Sequence, residues 1–180
     1  MHVRSSRRGE VRVLKDRLHH LLLRVFGALP RRARRLLVRL GSPKYTVGAI
    51  CIVRRDDGRV LLVRHSYYRS WGTPGGLAKR HERPELAAVR ETREEVGLAI
   101  ELVGEPVVVV EPVPHRVDVV YLARPTDEGD ADSARPSSPE IEQLDWFTLD
   151  DLPHLQVETV TALRALGRAG AVELPEGLWG

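Results

Sequence analysis

The spacing of apolar residues changes character along this chain. Between Val11 and Leu29 the residues Val11, Leu14, Leu18, Leu21, Leu22, Val25 and Leu29 recur at helical spacing, with Arg12, Lys15, Arg17 and Arg24 largely between them. Pro30 interrupts that pattern. Ala33, Leu36, Leu37 and Leu40 then predict a second short helix, ended by Gly41-Ser42-Pro43. Beyond Pro43 the spacing becomes that of strands. Val47, Ala49, Ile50, Cys51, Ile52 and Val53 predict a buried strand, Asp56-Asp57-Gly58 a turn, and Val60-Leu61-Leu62-Val63 the returning strand of a hairpin. Strand-like runs fall at 46–54, 60–64, 107–112, 117–123 and 142–148. Pro84 at a first helical position and Gly97 as the stop bound a helix over 84–96, and another is expected near 158–168. Strands with helices available to cover their faces argue an α/β fold.

Charge divides the chain more sharply than hydropathy does. The net charge is +3. Residues 1–44 hold thirteen Lys/Arg against Glu10 and Asp16, a net of +11, whereas residues 45–180 hold fifteen against twenty-three, a net of −8. We therefore expect a basic amphipathic helical extension over 1–43 and a separate acidic domain over 44–180. Cys51 is the single cysteine, which excludes an internal disulfide and a thiolate zinc site and points to a reducing, cytoplasmic setting. No apolar run approaches the roughly 18 residues of a membrane span.

The helix over 84–96 carries the candidate chemistry. At 100° per residue Leu86, Val89 and Val96 fall within about 80° and are expected to face a core. Glu91, Glu94 and Glu95 cluster within about 100° on another side. Like charges at i,i+3 and i,i+4 near a helix C-terminus destabilise it by roughly 0.2–0.5 kcal/mol per pair. Arg90 and Arg93 offset part of this, so a solvated, salt-bridged face is one explanation. A divalent cation such as Mg²⁺, which takes carboxylate oxygens, water and phosphate together, is the other.

The spacing adds a second line of argument. Gly76, five residues, Glu82, seven residues, Arg90-Glu91, two residues, Glu94-Glu95, one residue, Gly97-Leu98 resembles the signature of the Nudix hydrolases, with Thr92 in a slot that is otherwise aliphatic. Seven fixed matches would arise by chance in a chain of this length roughly once in a million. The approach Trp71-Gly72-Thr73-Pro74-Gly75-Gly76 and the stretch Glu140 to Pro153 also look like that family, so the resemblance covers residues 45–168 and leaves the basic arm outside.

The resemblance implies an α/β/α sandwich with a mixed central sheet, preceded here by the N-terminal amphipathic helices. It implies hydrolysis of a nucleoside diphosphate linked to another moiety, or a related pyrophosphate, by water attack at phosphorus with Mg²⁺ or Mn²⁺. Carried over by position, Glu91 and Glu95 resemble the principal metal ligands, Glu94 a further ligand or water-positioning group, and the Gly75 carbonyl another ligand. Arg90 resembles the residue that orients its neighbouring glutamate, and Glu82 a structural group. Glu91 and Glu140 are the candidate general bases, with Glu142 behind them. Arg64 and Tyr67, from the loop Arg64–Trp71, and His115, beside Arg116, are the candidate substrate contacts.

The alternative from a different class is a non-catalytic nucleotide sensor, or a basic module that binds lipid or nucleic acid through a Nudix-like body. The arm has four readings: packing on the body or on a second copy in a homodimer, contact with an anionic membrane surface, nucleic-acid binding, or organellar targeting. Docking of residues 10–40 on the body or a second subunit is the expectation taken forward. With Phe26 as its one stacking residue, the arm gives no reason to expect a specific nucleic acid.

Overall fold

The computed structural model describes residues 15, 17 and 19–179. Val11, Leu14 and Leu18 of the expected arm stripe lie outside the described residues. The described chain falls into two compact units, one up to Lys44 and one from Tyr45.

In the first unit, residues 19–28 are helical (α1) and the chain re-enters a helix at α2 (Arg31–Gly41) after Pro30. Ser42 closes α2 by donating its backbone N–H to the Val38 carbonyl at 2.9 Å. No residue of α2 is buried.

The second unit is a mixed α/β layer structure. Its elements are β1 (Thr46–Val53), β2 (Val60–His65), β3 (Gly75–Leu77), α3 (Pro84–Val96), β4 (Ile100–Glu111), β5 (Arg116–Pro125), β6 (Ile141–Phe147) and α4 (Val157–Arg168). The larger sheet runs β3-β1-β5-β4, with β1 parallel to β5 and the other pairs antiparallel. β2 and β6 form a separate antiparallel pair. The expected β1–β2 hairpin is therefore corrected. Both edges of β1 are taken, Gly48–Ile50 by β3 and Thr46–Val53 by β5, leaving β2 only the bridge Arg54–Val60.

The continuous apolar run of β1 follows from burial on both faces. Ala49, Cys51 and Val53, with Leu61 and Val63 of β2, pack against Ala87, Ala88 and Val96 of α3. Ile50 and Ile52, with Val60 and Leu62, pack against Ala162, Leu163 and Leu166 of α4. Each fully buried Val, Leu or Ile is worth about 1.5–3 kcal/mol, so the two alternating faces hold α3 and α4 firmly against the strands.

Two further expectations change. The strand expected at 107–112 begins earlier, at Ile100, because an irregularity between Val103 and Val107 carries pairing past Gly104-Glu105-Pro106, which read as a break. On α3 the expected core residue Leu86 is exposed, and the buried residues are Ala87, Ala88, Thr92, Glu95 and Val96. Ala88, Thr92 and Glu95 lie within about 60° of one another and Leu86 points away from them. Core face and carboxylate face are thus not separate: Glu95 belongs to both.

Candidate active site

A helix face that buries Glu95 must provide for its carboxylate, because an ionised group removed from water without partners is costly. Two partners come from other elements. Oε2 accepts the Gly75 backbone N–H at 3.1 Å, and Oε1 lies 3.8 Å from Nε2 of His65. Desolvation still dominates and raises the Glu95 carboxyl above its ordinary value, with His65 and the Gly75 N–H pulling it back. His65 is the third residue of the alternating series Leu61, Val63, His65 on β2, which aims it at α3. Its Nδ1 is buried without a hydrogen-bond partner. That alternation was readable in the sequence, but His65 went unnoticed there.

One turn earlier on α3, Glu91 lies beneath β3. A Cβ built on Gly76 would stand 2.6 Å from the Glu91 carboxyl carbon, so glycine there lets the carboxylate keep this position against the strand. Arg90 organises the remaining carboxylates. Its Nε and Nη2 grip Glu82 at 2.7 and 2.8 Å, and its Nη1 donates to Glu91 at 2.6 Å and to Glu94 at 3.0 Å. Arg90, and then the backbone N–H of Lys79, hold the Glu82 carboxyl down at about 2. Glu82 thus anchors Arg90, and Arg90 fixes Glu91. Glu94 is exposed and also meets Lys79 at 3.8 Å.

Of these groups, Glu91, His65, Gly75 and Gly76 line a cleft of about 500 Å³ together with Glu140, Glu158, Tyr67 and Arg116, whereas Glu94 and Glu95 are not in its lining. Glu140 precedes β6 and lines the same cleft as Glu91. The Tyr67 hydroxyl is pushed up by burial, then by Glu140 and Glu95, a sign that both acids act on one space. Tyr68 also lines the cleft, and both tyrosine rings flank His65, at 5.3 and 6.3 Å between centroids.

Two expected substrate contacts lie elsewhere. Arg64 pairs with Glu142 at 3.3 Å over a different depression, because alternation on β2 turns it away from His65. That pairing also takes Glu142 out of the cleft lining. His115 is exposed and packs edge-on against Tyr45 at 5.3 Å. Its neighbour Arg116 occupies the cleft instead. Arg116 Nε donates to both oxygens of the buried Asp118 at 2.8 Å, which fixes the guanidinium. A Cβ on Gly48 would stand 2.0 Å from Asp118 Oδ1, so a glycine on β1 makes room for the pair.

Among the described residues, no three His, Cys, Asp or Glu side chains already stand together as a metal-binding group. The carboxylates that line the cleft, Glu91, Glu140 and Glu158, are hard oxygen donors beside the imidazole of His65, and among the described residues Glu95, buried behind them, has no Lys or Arg partner. That donor set suits Mg²⁺ or Mn²⁺.

Comparison with known proteins agrees with this geometry. The sequence profile described as the NUDIX domain matches residues 44–165. A MutT-like protein of Streptomyces ambofaciens is 28% identical over 71% of this chain and 81% of its own length. The NAD-capped RNA hydrolase NudC of Chromobacterium violaceum is 32% identical over 71% of this chain, but the match spans only 47% of that enzyme. Among solved structures, a MutT NUDIX hydrolase from Burkholderia pseudomallei superposes with a TM-score of 0.56 at 35% identity, over 69% of this chain and 99% of its own. An ADP-ribose pyrophosphatase from Streptococcus suis does so at 0.58 and 26% identity, over 74% of this chain and 97% of its own.

Proposed function

The chain belongs to the NUDIX hydrolases, enzymes of pyrophosphate bonds, and from that premise we propose that it cleaves a nucleoside diphosphate joined to a further moiety, using Mg²⁺ or Mn²⁺. The observation that carries this reading is the convergence of Glu91 and the Gly75-Gly76 backbone with Glu140 and Arg116 on one cleft, with the buried Glu95 directly behind the wall, bonded to the Gly75 N–H. Glu91, Glu95 and the Gly75 carbonyl are the proposed ligands, and Glu94 a further ligand or water-positioning group at the rim. When bound, the ion neutralises charge on the phosphates and lowers the pKa of the attacking water.

The chain's own residues do the rest. Arg90, clamped by Glu82, holds the Glu91 carboxylate in one orientation, which removes its freedom before substrate arrives. Arg116 lines the cleft and is held through Nε by Asp118, and its guanidinium supplies further N–H donors for a phosphate oxygen. Tyr67 and Tyr68 are exposed aromatic faces at the mouth, suited to stacking a base or packing on a ribose. Glu140, on the same cleft as Glu91, accepts the proton of the attacking water.

The test is phosphate release, after phosphatase treatment, across nucleotide sugars, dinucleotides, nucleoside triphosphates and lipid diphosphates, with Mg²⁺ and with EDTA. We expect turnover of at least one nucleoside diphosphate derivative that EDTA abolishes. No turnover of any member, or turnover indifferent to EDTA, would refute the proposal.

A further inference from the structure

The cleft accounts for the acidic body and leaves the basic arm without a task. Within α2, Ala33, Leu36, Leu37 and Leu40 lie within about 100° of one another, while Arg31, Arg32, Arg34, Arg35 and Arg39 share the opposite side. The apolar side faces solvent: Leu36, Leu37 and Leu40 are 57%, 51% and 72% exposed. Leu21, Leu22, Leu23 and Val25 of α1 are exposed as well. Contiguous exposed leucines of this kind mark an interaction surface rather than ordinary scatter.

We infer that this surface binds an anionic lipid bilayer, with the leucines of α2 entering the headgroup boundary and its arginines meeting the negative lipids. Three features select this occupant. The residues from Arg31 to Lys44 contain no acid, so every charge there favours an anionic partner. The net +11 of residues 1–44 is matched by a continuous anionic surface, which a bilayer presents along the whole length of the arm. Nucleic acid would satisfy the arginines and leave the leucines in water, while a bilayer takes both sides of the same helix. A helix with a clean apolar face and a basic one, too short to span, lies in the plane of the interface. Among the described residues no helix is long and apolar enough to cross a membrane.

The experiment uses the full chain and does not depend on catalysis. Co-sedimentation is measured with vesicles of phosphatidylcholine alone and with about 30 mol % phosphatidylserine, near physiological and at high salt. We expect apparent affinity at least tenfold higher for the anionic vesicles, weakened by salt. The triple variant Leu36→Gln, Leu37→Gln, Leu40→Gln, which keeps every charge, should lose at least tenfold. Arg31→Gln with Arg34→Gln and Arg35→Gln should lose a similar factor and serves as the second variant. Binding unchanged by the leucine variant, or equal on neutral vesicles, overturns the inference. So does a dimer that buries the leucines while the chain ignores vesicles, or binding to single-stranded RNA or duplex DNA that outcompetes the vesicles.

Discussion

The approach of β3 to Glu91 gives a sharp test of how the cleft is built. In Gly76→Ala the new methyl would stand 2.6 Å from the Glu91 carboxyl carbon and 2.7 and 3.0 Å from its oxygens. Carbon atoms settle at about 3.5–4.0 Å, so the carboxylate must move by roughly 1 Å. The opposing group is the end of a flexible side chain, so the movement falls on Glu91 rather than on β3. Displacing it stretches the 2.6 Å bond to Arg90 and shifts a proposed ligand. Misplacement on this scale costs about 10²-fold in turnover. The assay is kcat for the best substrate of the panel, with melting temperature and circular dichroism as controls for folding. We expect kcat to fall about 10²-fold with melting changed by only a few degrees. A cycle with Glu91→Gln isolates the route, because residues that act through one another are non-additive. Gly76→Ala added to Glu91→Gln should cost little more than Glu91→Gln alone. Losses that multiply, or a Gly76→Ala variant within threefold of the parent, would refute the reasoning.

Other expectations follow from charge and burial. Glu95 has its carboxyl raised by desolvation, so without metal the stability it contributes is full below the unfolded value near 4.5 and is lost as pH rises through the raised folded value. Glu95→Gln should flatten that limb of melting temperature against pH in EDTA, raise melting at neutral pH, and cut turnover about 10²-fold or more; a variant as active as the parent would contradict it. Glu82 has the opposite sign, held at about 2 by Arg90, so its contribution is present above 4.5 and is lost as pH falls toward 2. The difference in melting temperature between the parent and Arg90→Gln should accordingly shrink as pH drops through that window. Burial pushes the Cys51 thiol up from 9.0 to about 12, which lowers its thiolate fraction at pH 8 about a thousandfold and should slow alkylation of the folded chain accordingly. Arg116→Gln should raise KM about 10–100-fold with a smaller effect on kcat, the range expected for losing a hydrogen bond to a charged group; an unchanged KM would remove Arg116 from the substrate contacts.

What the sequence revealed depended on whether a signal was local. The bounds of α3 were legible because Pro84 and Gly97 act on their own backbone, and β1 because burial on both faces leaves an unbroken apolar run. β3 was not, since Gly75-Gly76-Leu77 has the composition of a turn and becomes a strand only where β1 offers an edge. The β1–β2 hairpin was misread for the same reason, as pairing is decided by which edges are already taken. In the cleft, the spacing of Glu91, Glu94 and Glu95 was visible along one helix. Arg116 was named beside His115, but its anchor Asp118 was not, because that pairing depends on Gly48 of the neighbouring strand. Glu140 was placed by likeness to a family, since no local pattern ties it to α3, and it lines the cleft.

The overlap of core and cleft on α3 has a physical consequence. Ala88, Thr92 and Glu95 share one buried line, so the packing that anchors the helix also sets a carboxylate against Gly75 and His65 at the wall of the cleft. A polar side chain survives inside that line only where its hydrogen bonds are satisfied. Thr92 meets the condition locally, since its hydroxyl donates to the Ala88 carbonyl at 2.9 Å, which is how a threonine occupies an otherwise aliphatic slot. Glu95 meets it only in part, through one backbone N–H and a histidine at 3.8 Å. The remaining electrostatic demand is what a divalent cation would satisfy. The fold is therefore least self-sufficient at the residue its proposed chemistry needs most. A cation that binds there draws affinity from relieving that desolvation, and by linkage it stabilises the folded chain.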